Sequence, residues 1–425
     1  MVPRRRKGTA AGLSLELLGG IVRVVGDDAP FLRQLASCFE GSRPRHLPAE
    51  AALRIEVTGS RRPSRGGFRI SCEPAGALEG VCPSVVHGPM PLARALVQWS
   101  VSRTEAHYVF HAGAVARQGR GVLLPGASRS GKSTLSAGLV RRGFDLLSDE
   151  VGAIALETGR LVEFPRSLWL RRDVLPLLGL PASAGSGGWD GESRVLGAAD
   201  IGRARGVPDA EPSLILVPSY EEGVKTRLER LPAGAALIAL MEVSCSQTKH
   251  KAAGLDFVID LLRRVPCHRL QFSKLGEALD AVEAALEHDG SAAVAPLSGA
   301  WRPSGVDAGE DGRGTDVDDV SLPLVRDDLL FRRVDDDFVV YDPVADRTVL
   351  LNVSGAVVFD LCDGTRTRAA IAEELAAAFE VDSELVAPDV ERVLGELRGL
   401  GLLSSADRNG VIRPLDSGSA SCPGR

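Results

Sequence analysis

The stretch Pro125 to Thr134, PGASRSGKST, decides how this chain is read. Gly126, four intervening residues, then Gly131-Lys132-Ser133 is the spacing of a phosphate-binding loop. Its surroundings fit that role. GVLLP, residues 121–125, is an apolar run that reads as a buried strand, and STLSAGLVRRG, residues 133–143, has helical periodicity and stops at Gly143. The spacing predicts a helix over Lys132–Arg141. The glycines let the backbone wrap so that successive N–H groups aim at phosphate oxygens, and the helix N-terminus adds partial positive charge. Gly126, Ala127, Ser128, Arg129, Ser130, Gly131, Lys132, Ser133 and Thr134 are therefore the expected phosphate-binding residues. Lys132 would reach the β- and γ-phosphates with a mobile ammonium, and the Ser133 hydroxyl would ligate magnesium.

Such a loop needs an acidic partner at the end of a nearby strand. FDLLSDE, residues 144–150, supplies Asp149 and Glu150. One carboxylate can hold magnesium, and the other can accept a proton from an attacking hydroxyl; the pattern does not say which does which. Only about fifteen residues separate Thr134 from Asp149, which points to a compact kinase.

Outward from the loop, residues 101–288 alternate strand-like and helical runs, which implies a mostly parallel sheet with helices on both faces. Residues 13–100 mix short strand-like runs with a helical run near PLARALVQWSVSRT, forming a small N-terminal α/β segment. Residues 289–321 are dominated by Gly, Ser, Ala, Pro and Asp without apolar period, the composition of a flexible linker. Order resumes over 322–405 with three strand-like runs and three helices, a winged-helix-like α+β pattern. Ser354 is the expected cap of the first helix. Ile371, Leu375, Ala378 and Phe379 mark one buried helical face; Val390, Val393, Leu394, Leu397 and Leu400 mark another. Residues 1–12 form a basic tail around Arg4–Lys7, and residues 406–425 a second disordered tail.

A formal charge of −6 over 425 residues argues against a general nucleic-acid binder. No apolar run approaches the roughly eighteen residues of a membrane span, so a soluble, cytoplasmic protein is expected. Seven cysteines are scattered without a CxxC pair, as small hydrophobes or stray thiols in a reducing compartment would be. His107 and His111 fall four apart, but AHYVFHAGAVA reads as a strand, which sets them about 13 Å apart and disfavours a metal pair.

The run from His111 through VLLPGASRSGKSTLSAGLVRRGFDLLSDEVGAI resembles the catalytic core of HPr kinase/phosphorylase, well over residues 107–170 and more thinly toward 287. The resemblance implies ATP and Mg2+ as cofactors. It implies that His111 supports the catalytic acid and that Asp149 is the general base. The family's second aspartate is Glu150 here, a metal-facing arm one methylene longer. The family's Arg-Gly-Leu-Gly signature is not found downstream, which leaves phosphorolysis open. Arg166 and Arg194 fall where substrate loops would lie; a solvated surface arginine is the preferred reading of each.

Residues 324–404, with VVYDPVADRTVLLNVSGAVVFDLCDGTRT, resemble the PqqD-like domains that recognise leader peptides of ribosomally made, post-translationally modified peptides. The resemblance implies a peptide held along the sheet edge, in a groove formed with the last helix. The acidic turns over Asp335 to Asp337 argue against DNA. The combined expectation is an ATP-dependent kinase for a Ser or Thr of a precursor peptide. Its partner would be that peptide, with no nucleic acid or membrane, and homo-oligomerisation is left open. Two rivals stand beside it: a kinase for a carrier protein or small molecule, and a nucleotide-regulated peptide chaperone.

Overall fold

The computed structural model describes residues 11–39, 50–59, 67–187, 192–197, 199–201, 207–287, 322–335 and 337–404. The expected linker, the C-terminal tail and residues 1–10 of the basic tail lie outside them. Ala11 and Gly12, expected in that tail, already belong to a strand. The chain divides into two compact units, Met1–Leu297 and Ser298–Arg425.

The first unit begins with β1 (Ala11–Leu17), β2 (Gly20–Gly26), α1 (Ala29–Ser37), β3 (Leu53–Gly59), β4 (Phe68–Glu73), β5 (Val85–Val86) and α2 (Pro89–Arg103). The strands form one sheet in sequential order. LRIEVTG shows why: Leu53, Ile55 and Val57 are buried while Arg54, Glu56 and Thr58 face outward, the period-two pattern of a sheet with one wet face. Asp28 caps α1 by accepting from the Phe31 N–H at 2.8 Å. Leu92, Leu96 and Trp99 of α2 close this core, which also takes in Val109, Val151 and Ala153 from the next sheet and Phe164 from the loop after it.

That next sheet contains β6 (His107–Arg117), β7 (Arg120–Pro125), β8 (Asp145–Ser148), β9 (Val151–Ala155), β10 (Leu161–Val162), β14 (Asp209–Tyr220), β15 (Arg227–Arg230) and β16 (Cys267–Phe272). Between β10 and β14 a separate small antiparallel sheet holds β11 (Leu168–Arg171), β12 (Ser186–Gly187) and β13 (Ser193–Leu196). The helices are α3 (Lys132–Arg141), α4 (Ala233–Met241), α5 (Gln247–Arg264) and α6 (Leu275–Glu287). The large sheet runs β10-β9-β6-β7-β14-β16-β15, with β8 also paired to β6. The expectation of a mostly parallel sheet is corrected. Only β7–β14 and β14–β16 are parallel; β6 runs antiparallel to β7, β8 and β9, and β15 antiparallel to β16. The reason is loop length. β6 and β7 are joined by Gln118–Gly119, both at positive φ (54° and 76°), a two-residue hairpin, whereas a parallel pairing needs a long crossover. α3 and α6 pack with β7, β14 and β16 in a core built on Leu135, Leu139, Leu279, Val122 and Leu216.

The second unit contains β17 (Leu330–Val334), β18 (Asp337–Asp342), β19 (Arg347–Leu351), α7 (Val353–Leu361), α8 (Arg368–Phe379) and α9 (Ser383–Gly399). Its sheet is a three-stranded antiparallel meander. The three strands and three helices stand where the sequence puts them, with two corrections. Asn352, not Ser354, caps α7, its side chain accepting from the Gly355 N–H at 2.7 Å. On α8, Ala372 and Ala376 join Ile371 and Leu375 inside, while Ala378 and Phe379 are exposed. The α9 face is buried at Val390, Val393, Leu394 and Leu397, with Leu400 half-buried.

Candidate functional site

β7 ends at Pro125, and the chain then makes a tight loop into α3. Two glycines make the loop sterically feasible. A Cβ on Gly126 would lie 2.8 Å from Ser130 Oγ, and one on Gly131, at φ +97°, would lie 2.9 Å from Phe272 Cζ. Ala127, Ser128 and Arg129 form the exposed tip, Arg129 at φ +68°. Gly131 stands at the N-cap of α3 and offers no side-chain cap, so the helix's first N–H groups have no such acceptor. Such a terminus suits an anion. Ser133 and Thr134 are half-buried in the first turn. Lys132 is almost fully buried, its ammonium donating to the carbonyls of Gly126 at 2.6 Å and Ala127 at 2.7 Å. Burial pushes its pKa down; the carboxylates of Asp149 and Glu150 pull it back up.

The acidic pair sits between β8 and β9, both of which lie along β6. This break in an otherwise continuous neighbour fixes the pair beside His111–Gly113. The Ala112 N–H donates to the Glu150 carbonyl at 3.3 Å. Asp149 is wholly buried. Its Oδ2 accepts from the Trp169 N–H at 3.2 Å, while Oδ1 has no hydrogen-bond partner. Burial, reinforced by the charge on Glu150, raises its pKa to about 6; the Ser133 hydroxyl, Arg166 and the Trp169 N–H act in the opposite direction.

Arg166 is ion-paired with Glu150 and 4% exposed, its guanidinium 4.6 Å from the centroid of the Trp169 ring. The preferred reading of Arg166 as a solvated surface arginine is therefore corrected: burial of a guanidinium needs a partner, and Glu150 provides it. Trp169 was missed by the sequence reading. The signal was Trp169 between Leu168 and Leu170 in FPRSLWLRR, a short strand whose leucines face inward. Arg194 lies elsewhere, donating to the carbonyls of Ser183 and Ala184 at 2.8 Å each and to that of Gly185; it ties down a turn. His111, on β6, is half-buried. Burial and the charge of Lys132, with a smaller push from Arg166, lower its pKa, and Glu150 opposes them. At neutral pH its imidazole is uncharged.

A cavity of about 590 Å³ opens beside these groups. His111, Glu150, Arg166 and Trp169 form one wall, and Arg94 and Gln98 of α2 another. Of the expected site residues, His111 and Glu150 line this cavity, while Lys132 and Asp149 interact electrostatically with Glu150, and Asp149 with the Ser133 hydroxyl. An uncapped helix start, a lysine and an orphaned carboxylate oxygen near a serine hydroxyl fit a nucleotide phosphate chain and a hard divalent cation with oxygen ligands.

Residues 337–403 match the family model described as Coenzyme PQQ synthesis protein D (PqqD), and they form a PqqD domain. Two solved structures are similar to the chain. One is TbiB1 in complex with the TbiA(beta) leader peptide, 20% identical over 20% of this chain and 98% of that one, with a TM-score of 0.19. The other is the Hpr(Ser) kinase/phosphatase from Coxiella burnetii, 16% identical over 42% of this chain and 95% of that one, with a TM-score of 0.20. No curated protein matches the chain. Among the described residues no helix is long and apolar enough to cross a membrane.

Proposed function

We propose that the protein is an ATP-dependent kinase that phosphorylates a Ser or Thr of a precursor peptide, which its PqqD domain captures by the leader. The observation that carries this reading is the convergence of Lys132 and Ser133, at an uncapped helix start, with Asp149. Residues 126–134 would hold the phosphates, and Ser133 with Glu150 or Asp149 would hold Mg2+. When bound, MgATP supplies the phosphoryl group.

The chain's own residues do the rest. Asp149, its pKa raised to about 6, is ionised at neutral pH yet basic enough to take the proton of an acceptor hydroxyl, the match a general base needs. Arg166 holds Glu150 in place. Neutral His111 stands on the cavity wall, where the acceptor side chain would enter. Arg94, Val97 and Gln98 of α2 line the same cavity.

In the second unit, β17 and β19 are the outer strands of the sheet. An extended leader could add to either edge, with backbone hydrogen bonds for affinity and side-chain pockets for specificity. Leader capture would make phosphotransfer effectively intramolecular. The test is to isolate the full chain with its bound peptide, add γ-labelled ATP and Mg2+, and weigh the peptide. A mass gain of one phosphate on Ser or Thr is expected. Steady nucleotide hydrolysis with an unmodified peptide would favour the chaperone instead.

A further inference from the structure

β14 and β16 run parallel to β7 and lie on the flank away from β6 and the acidic turn. They end in register at Tyr220 and Phe272. Phe272 is buried, and its ring edge approaches Gly131 so closely that a Cβ there would stand 2.9 Å from it. The same Cβ would stand 3.6 Å from the Cβ of Tyr220. The two rings meet edge to face, centroids 5.8 Å apart and planes at 72°, a favourable aromatic geometry. Phe272 thus holds the tyrosine ring beside the loop. Yet Tyr220 remains 53% exposed. Core packing accounts for Phe272; it does not account for an aromatic ring presented to solvent next to a phosphate loop.

We propose that Tyr220 is the platform on which the nucleobase of the bound nucleotide stacks. The inference rests on the phosphate-loop reading above. A triphosphate lying on residues 126–134, with its terminal phosphate toward Asp149 and Glu150, must lead its sugar and base toward the opposite flank of β7. That flank ends in Tyr220. Stacking on an aromatic face needs no particular base, because every base has a π-face, so the site takes nucleoside triphosphates with modest discrimination among bases.

The test uses the full chain and two probes, MgATP and magnesium tripolyphosphate, the latter a phosphate chain without a base. Loss of one base–aromatic stack corresponds to at least a fivefold change in Kd. Tyr220→Ala should therefore weaken MgATP by at least fivefold and leave tripolyphosphate within twofold. Tyr220→Phe and Tyr220→Trp should keep MgATP affinity, because the ring is retained. An unchanged affinity for MgATP in Tyr220→Ala, or an equal loss for both probes, overturns the platform while the loop reading stands. If the wild-type chain binds neither probe, or Lys132→Ala leaves both affinities unchanged, the loop reading falls and takes the platform with it.

Discussion

At the scale of single residues, the site is a set of charges held where water cannot reach them well. Lys132→Ala removes the ammonium nearest the expected β- and γ-phosphates and should cut turnover by orders of magnitude. Its side chain contacts loop carbonyls, so the fold should survive; initial rates and a thermal melt of the same variant check both halves of the claim. Asp149 carries a sharper expectation. Because it must be ionised to accept a proton, kcat/KM should rise with pH through about 6 and then level. Asp149→Asn should abolish transfer while nucleotide still binds. The stability effect has the opposite sign. The folded pKa lies above the ordinary value of 3.8, so the folded state binds the proton more tightly. Stability is therefore greatest below the ordinary value, falls as pH rises from 3.8 to about 6, and is flat above. Asp149→Asn removes that dependence, and its Tm at pH 7.5 should equal or exceed that of wild type. A lower Tm would mean that the carboxylate is needed structurally. Asp149 was legible from its place after an apolar run. The buried state of Arg166 was not, because its partner Glu150 lies sixteen residues earlier in the sequence and no local pattern links them.

At the scale of elements, the loop and α3 act as one device. Gly131→Ala would place a side chain at φ +97° and against Phe272. Strain of this kind costs about 1–3 kcal/mol, so a lower Tm is expected, together with weaker MgATP binding, because the added methyl meets the buried Phe272 ring within the loop itself. Calorimetry of the variant with and without nucleotide separates the two effects. The helix itself was readable to the residue, because a glycine-rich break precedes it and Gly143 follows its last apolar turn. Strand pairing was not. Each strand of the β6–β7 hairpin has the right apolar run, but direction is set by Gln118–Gly119, two residues that a reading for alternation passes over. α8 misled for a related reason: Ala372 and Ala376 are small enough to look indifferent, yet they are the residues that let the helix approach its neighbours.

At the scale of the whole molecule, each unit carries apolar core of its own among the described residues. Two clusters use only residues up to Leu286, and the third uses only Val325 to Leu403. Residues 1–288 and 322–405 should therefore fold separately, the first retaining weak nucleotide hydrolysis and the second binding a leader peptide. Mixed but untethered, they should phosphorylate a dilute precursor far more slowly than the intact chain, because a short linker imposes an effective concentration on the order of millimolar. Rates for the intact chain, the mixture and the first half alone decide the matter. Equal rates for the first half and the intact chain at low precursor concentration would remove any role for the tether.

The pairing of Glu150 with Arg166 also bears on how such a sequence can drift. A shorter aspartate at position 150 would stand back from the buried guanidinium by one methylene, and a neutral residue at 166 would leave the Glu150 charge beside Asp149 without its counterweight. Neither position can change alone without exposing the other to selection. The two behave as a single inherited character, and across lineages descended from this chain they should be exchanged together or not at all.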